Sequence, residues 1–214
     1  MKRVKILAVS DEENERVTTL IREPPFCNAA LILGCGDLPY SYLEYLVTML
    51  NVPLAYVPGN HDPAYHARDP STFAEGCINL DGRVARVNGL LLAGLGGSIR
   101  YRPGENQYTQ GEMFLRVWRL LPSLLLNRIF HHRWLDIFIT HSPPFGIHDQ
   151  PGTAHEGFRA FNWLLRLTSV PYHFHGHFHF TLRNLSPNTT RYGATLVVNA
   201  FPYRLMEVTL PFAP

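Results

Sequence analysis

Short continuous runs of apolar residues punctuate the chain, and most end in Gly, Asp, Asn or His: residues 4–10, 30–34, 54–57, 137–140 and 172–175. Runs of that length without alternation suit strands buried on both faces, so a sheet covered by helices is expected. Between them the spacing changes. Residues 42–50 place Leu43, Leu46, Val47 and Leu50 on one helical face, and residues 158–167 do the same with Phe161, Leu164 and Leu165. Strand and helix in alternation make the chain α/β. Segments 84–87, 90–95, 195–199 and 205–210 read as antiparallel strands, the first two joined by the turn Asn88-Gly89. Residues 96–111 carry Gly97, Arg100, Arg102, Pro103 and Gly104 without clear periodicity and read as a long loop, either functional or mobile. With no repeat, low-complexity tract or linker, residues 1–214 are expected to form a single domain with two facing sheets and helices outside.

Composition narrows the classes. The 214 residues are 46% hydrophobic and 17% charged, enough for one sizeable core. A net charge of +2, from 19 basic and 17 acidic residues, is too balanced for a chain that lives on nucleic acid or on an anionic membrane surface, so neither partner is expected. The basic N-terminus is followed by only a short apolar stretch, residues 6–9, before Asp11, so no export signal is expected. The longest apolar runs, such as residues 90–95, fall short of the roughly 18 residues of a membrane span. Cys27, Cys35 and Cys77 are odd in number and lack metal-ligand spacing, which suits a reducing compartment, and the expected location is the cytoplasm. The 11 histidines raise the prospect of a metal or acid/base site.

Five places set metal-ligand residue types directly after an expected strand. They are Asp11-Glu12-Glu13, Gly36-Asp37, Gly59-Asn60-His61-Asp62, Thr140-His141-Ser142-Pro143-Pro144 and His175-Gly176-His177-Phe178-His179. In α/β sheets ligands bind outside the carboxyl ends of strands, so five such ends can converge on one crevice. Gly before Asp37, Asn60 and His177 lets backbone approach closely where loops crowd an ion.

In order, these blocks resemble the calcineurin-like metallophosphoesterases, whose motifs read D-x-H, G-D, G-N-H-D/E, an H block and G-H-x-H; the resemblance runs from about residue 4 to 200. It implies a four-layer αββα sandwich, two mixed sheets flanked by helices. It also implies a dinuclear centre that hydrolyses a small phosphomonoester or phosphodiester with a bridging hydroxide. Carried onto this sequence, Asp37 would bridge both metals, Asp11 and His179 would hold the first, and Asn60, His141 and His177 the second. Two ions roughly 3.5–4 Å apart would polarise the phosphoryl oxygens and activate a shared water for in-line attack. His61 would be the general acid, with Asp62 orienting its ring.

The first block departs from the pattern: Glu13 stands where histidine should. If Glu13 is a ligand, three carboxylates against two dications lower the site's charge from +2 to +1. Such a site binds metal more tightly, acidifies bound water less and favours manganese or magnesium over zinc, so Mn²⁺ with modest activity is expected, Fe or Zn being the other ions the donors suit. Glu12 reads as a solvated acid at a helix start. Of the alternating His173, His175, His177 and His179, only the last two match the block. His66, His131, His132 and His155 match none and read as surface or packing residues; His148 and Asp149 suit a pocket wall or a loop equally. Arg100, Tyr101 and Arg102 read as a solvated basic loop, with phosphate binding as the other reading. Cys35 reads as a packed hydrophobe. The competing function is a catalytically weak or inactive binding protein on this fold.

Overall fold

The computed structural model describes residues 2–179 and 188–210. Strands β1 (Lys2–Val9), β2 (Leu31–Gly34), β3 (Leu54–Tyr56) and β4 (Ile78–Asn79) are followed by β5 (Arg83–Val87), β6 (Leu90–Leu95), β7 (Ser98–Ile99) and β8 (Gln107–Tyr108). Then come β9 (Ile137–Thr140), β10 (Tyr172–His175), β11 (Thr189–Tyr192), β12 (Thr195–Asn199) and β13 (Tyr203–Leu210). The α-helices are α1 (Glu15–Leu20), α2 (Tyr40–Leu50), α3 (Gln110–His131) and α4 (Arg159–Thr168). One sheet runs β13-β1-β2-β3-β4 and the other β11-β12-β10-β9-β6-β5. Both are mixed: the first is parallel from β1 through β4 with antiparallel β13 at one edge, and the second has parallel β12, β10, β9 and β6 with antiparallel β11 and β5 at its two edges.

Three apolar clusters explain why the layers stack as they do. Between the sheets, Ile6, Leu33 and Ala55 meet Leu92, Ile139 and Phe174. Outside the first sheet, Leu7, Ile32 and Tyr56 pack on Tyr42, Leu43 and Leu46 of α2. Outside the second, Ala93, Phe138 and Val197 pack on Met113, Val117 and Leu124 of α3 and Phe161 and Leu165 of α4. Neighbouring strand residues thus serve opposite faces, and both faces are buried, which is why the central strands read as unbroken apolar runs. This is the αββα sandwich.

Two elements differ from the sequence reading. Segment 195–199 is antiparallel to β11 but parallel to β10, whereas β13 is antiparallel as expected, pairing with β1 in the other sheet. The 22-residue α3 has no counterpart in the apolar periodicity, because it is apolar on opposite sides and shows no single stripe. Its start is nonetheless well specified, since Thr109 and Glu112 form a reciprocal capping box. Within 96–111, β7 and β8 form a small parallel pair. Among the described residues, no helix is long and apolar enough to cross a membrane.

Candidate metal centre

The carboxyl ends of β1, β2, β3, β9 and β10 open to one side, and their loops bring the chemistry together. Asp11 lies just beyond β1, Asp37 beyond β2, Asn60 and His61 beyond β3, His141 directly after β9, and His177 beyond β10. Asp11, Asp37 and His177 all adopt left-handed backbone, with φ of 66°, 55° and 64°. Asp and His tolerate that region better than most residues, and such strain is retained where surrounding contacts over-determine it. It turns each side chain out of its strand direction and into the crevice. His173 and His175, still in β10, point elsewhere: His173 stacks on Phe138 at 5.0 Å and bonds to the Thr140 hydroxyl, and His175 pairs with His148 at 2.9 Å.

At the centre, the ligand atoms of Asp37, His141 and His177 lie within 4.8 Å of one another, the one such group of three among the described residues. His141 donates its Nδ1–H to the Cys35 carbonyl at 2.8 Å, which turns Nε2, a proton donor in the metal-free protein and a lone-pair donor once that proton leaves, toward Asp37 Oδ2 at 3.3 Å and Asn60 Oδ1 at 3.1 Å. His177 similarly gives its Nε2–H to the Ala154 carbonyl at 2.8 Å, freeing Nδ1. Backbone carbonyls that fix the tautomer in this way are what metal-binding histidines need. Three lone-pair donors turned on each other repel unless a proton or cation lies between them, so the residues present fit a metal ion.

Beside this group, Asp11 Oδ1 faces His179 Nε2 at 3.2 Å, and its Oδ2 accepts from the Ser10 hydroxyl and from the His177 backbone N–H at 3.0 Å. The His179 ring lies flat on Phe201, 4.2 Å between centroids. A cavity of about 320 Å³ is lined by Asp11, Asp37, His61, His155, His177 and His179. It adjoins a cleft of about 510 Å³ that His61 shares with Arg102 and Gln107.

The charges are mutually arranged. Burial favours the neutral form of Asp37, but His141 and the backbone N–H of His61 outweigh it and hold the carboxyl well below its usual range. Burial alone would lower His141; Asp37 and Asp11 reverse this and carry it up to about 9. His177 is pushed down to about 3 by burial and the neighbouring His141, so it is neutral and free to ligate. One consequence concerns metal-free protein. A histidine raised in the folded state contributes stability that is complete below its ordinary value of 6.5 and is lost as pH rises through about 9. The metal-free form should therefore lose about 3 kcal/mol between those limits, and saturating metal, which replaces the proton, should flatten the dependence. Thermal melts across that range, with and without metal, measure this.

Several expected residues are placed differently. The Asp62 carboxylate does not orient the His61 ring: its Oδ2 accepts from the backbone N–H groups of Gly59 at 2.7 Å and Asp37 at 2.9 Å. Asp62 thus ties the β2 and β3 loops together, and burial lifts its pKa to about 6. Glu13 is exposed and is not among the residues lining the cavity, so the third carboxylate is not brought to the donors. His155, which matches no motif, does line the cavity, its ring 4.8 Å from His177. Only the fold of the 145–157 loop brings it there, and no local signal announces it. Arg100 is held by Glu112 and the Gln107 carbonyl, so of the loop arginines Arg102 alone faces the cleft. Cys35 is buried and its thiol pushed up by burial, as suits a packing residue.

Close approach fixes one glycine. A Cβ on Gly59 would sit 2.0 Å from Asp37 Oδ1 and 2.5 Å from the Asp37 backbone nitrogen. Gly59→Ala should cost about 1–3 kcal/mol and displace Asp37, read as a lower melting temperature together with reduced metal uptake.

The architecture and the site define a class: an αββα protein with a cluster of carboxylate, amide and imidazole groups on strand-end loops that could hold a metal ion. The chain belongs to the calcineurin-like phosphoesterases, whose family pattern matches residues 10–180. One similar solved crystal structure aligns with a TM-score of 0.64 at 16% identity, covering 96% of this chain and 95% of that one. The crystal structure of TT1561 from Thermus thermophilus aligns with a TM-score of 0.59 at 18% identity, covering 93% and 89%. At such identities the likeness is one of fold. No curated protein is significantly similar in sequence.

Proposed function

We propose that the protein is a metal-dependent hydrolase of a small phosphomonoester or phosphodiester, working through a dinuclear centre. The observation that carries this is the close approach of Asp37, His141 and His177, whose ligand atoms lie within 4.8 Å of one another at the wall of the cavity, with Asp11 and His179 paired beside them and the His61 ring at the mouth. Asp37 has one oxygen toward His141 and is flanked by both groups of donors, which suits a bridging carboxylate. Asp11 and His179 would hold one ion; Asn60, His141 and His177 the other. When bound, such ions supply positive charge to phosphoryl oxygens and lower the pKa of a coordinated water.

The chain's own groups do the rest. Asp62 keeps the β2 and β3 loops in register, so Asp37 and Asn60 are fixed before substrate arrives. His61 has a side chain 64% exposed, with Nε2 4.0 Å from Asp37 Oδ2, where it can reach a leaving-group oxygen and protonate it. Arg102 on the adjoining cleft is available for the remainder of the substrate.

Half of the six donors are oxygen and none is thiolate, so Mn²⁺ is the first ion to test, with Fe and Zn next. This preference no longer needs Glu13. Metal analysis of purified protein, combined with hydrolysis of nitrophenyl phosphate and bis-nitrophenyl phosphate after loading with each ion, tests the reading. Metal-stimulated hydrolysis of either ester is expected; a loaded protein inert on both would favour the competing role as a binding protein. Glu13→Gln should leave metal content and turnover within about twofold, as befits an exposed surface change. A larger drop in metal affinity would restore Glu13 as a ligand.

A further inference from the structure

The second α-layer leaves a large apolar surface uncovered. Helix α3 buries Met113, Val117, Leu120 and Leu124 against the second sheet, yet its opposite side presents Leu115, Trp118, Leu125, Leu126, Ile129 and Phe130 to solvent. Trp118 is 57% exposed and Phe130 70%. The spacing 115, 118, 125, 129 keeps these residues on one stripe along the helix, directly away from the core. Helix α4 packs beside α3 and widens the patch with Trp163 and Leu167. Contiguous apolar surface of this kind marks a binding face.

The charges around it state what would cover it. Helix α3 has no acidic residue after Glu112, and α4 has none. Arg119, Arg128, Arg159 and Arg166 are exposed on these two helices, and none forms an ion pair with a carboxylate among the described residues. Arg128 donates instead to the His132 carbonyl, while Arg159 and Arg166 lie over the rings of Phe145 and Tyr192. A second copy of this face, brought up across a two-fold axis, would set arginines against arginines with no carboxylate to receive them. A surface with apolar depth and anionic headgroups satisfies both features. Exposed Trp and Phe would enter the acyl boundary while the arginine stems reach back to phosphates. The whole-chain charge of +2 hides this segregation, which is why composition argues against a membrane surface and the structure argues for one.

We infer that the outer face of α3 and α4 is a peripheral docking surface for an anionic lipid bilayer. The test is co-sedimentation of the metal-loaded full chain with phosphatidylcholine vesicles, with and without phosphatidylglycerol. Binding is expected only with the anionic lipid, and it should fall as salt rises. Arg119→Gln should weaken partitioning roughly fivefold, the equivalent of about 1 kcal/mol per cation at the surface. Trp118→Glu combined with Phe130→Glu should abolish it, with melting temperature and metal content unchanged. Absence of wild-type binding to phosphatidylglycerol vesicles at low salt overturns the proposal. So does a dimer in light scattering that Phe130→Glu converts to monomer, because the face would then be covered by a second copy.

Discussion

Asp37→Asn is expected to strip the centre of most of its metal and to lower hydrolysis by about 100-fold or more, beyond the roughly 10–100-fold that loss of a residue merely supporting a ligand produces. The substitution is clean because asparagine, like aspartate, accepts left-handed backbone, and position 37 has φ of 55°. Its side-chain oxygen can also keep the 2.8 Å bond from the His61 backbone N–H. What disappears is the charge. Oδ2 faces His141 Nε2 at 3.3 Å, and in its place an amide would present either a neutral oxygen or N–H groups to the cations. Without that carboxylate His141 also loses the partner that lifts its pKa, so the stability change between pH 6.5 and about 9 should shrink in the metal-free variant. Metal content and melts at two pH values separate this from misfolding: a misfolded variant would melt early at both. Full metal content in Asp37→Asn would remove Asp37 from the centre.

The fold and the centre differ in how much of each is legible in the sequence. Strands buried on both faces write themselves as apolar runs, and segments 137–140 and 172–175 match β9 and β10 residue for residue. The ligand-type residues stand out because they follow those runs directly, where polar side chains have no packing role. Helix α3 is hidden for the opposite reason: the apolar residues Leu115, Trp118, Leu125 and Ile129 on its outward face are interleaved with those on its inward one and blur the stripe. Orientation is the other thing the sequence withholds. Nothing local shows that Asp62 bridges the amides of Gly59, three residues before it, and Asp37 rather than turning to the His61 ring, since Asp37 reaches it only through the pairing of β2 with β3. Motif spacing likewise puts Glu13 at a ligand position, whereas the chain leaving β1 turns at Asp11, with φ of 66°, and leaves Glu13 exposed. His155 arrives from a loop between β9 and α4 whose path is set by contacts such as the bond from the Gly157 N–H to Asp149.

His61→Gln separates chemistry from metal binding. The His61 ring is exposed, stands 4.0 Å from Asp37 Oδ2 and lies outside the close group of Asp37, His141 and His177, so its removal should leave metal content unchanged. The backbone N–H of residue 61, which bonds to Asp37, is retained by any side chain. Turnover should nevertheless fall by roughly 10²–10⁴, the usual contribution of a positioned general acid. The decisive comparison is between leaving groups. An alkoxide needs a proton as the P–O bond breaks, whereas nitrophenolate is stable without one, so the loss should be much larger for an alkyl ester than for a nitrophenyl ester. A residue that only bound substrate would raise KM for both and leave kcat in place. Equal losses on the two esters would make His61 a stabiliser of phosphoryl charge, and an unchanged turnover would exclude it from the reaction.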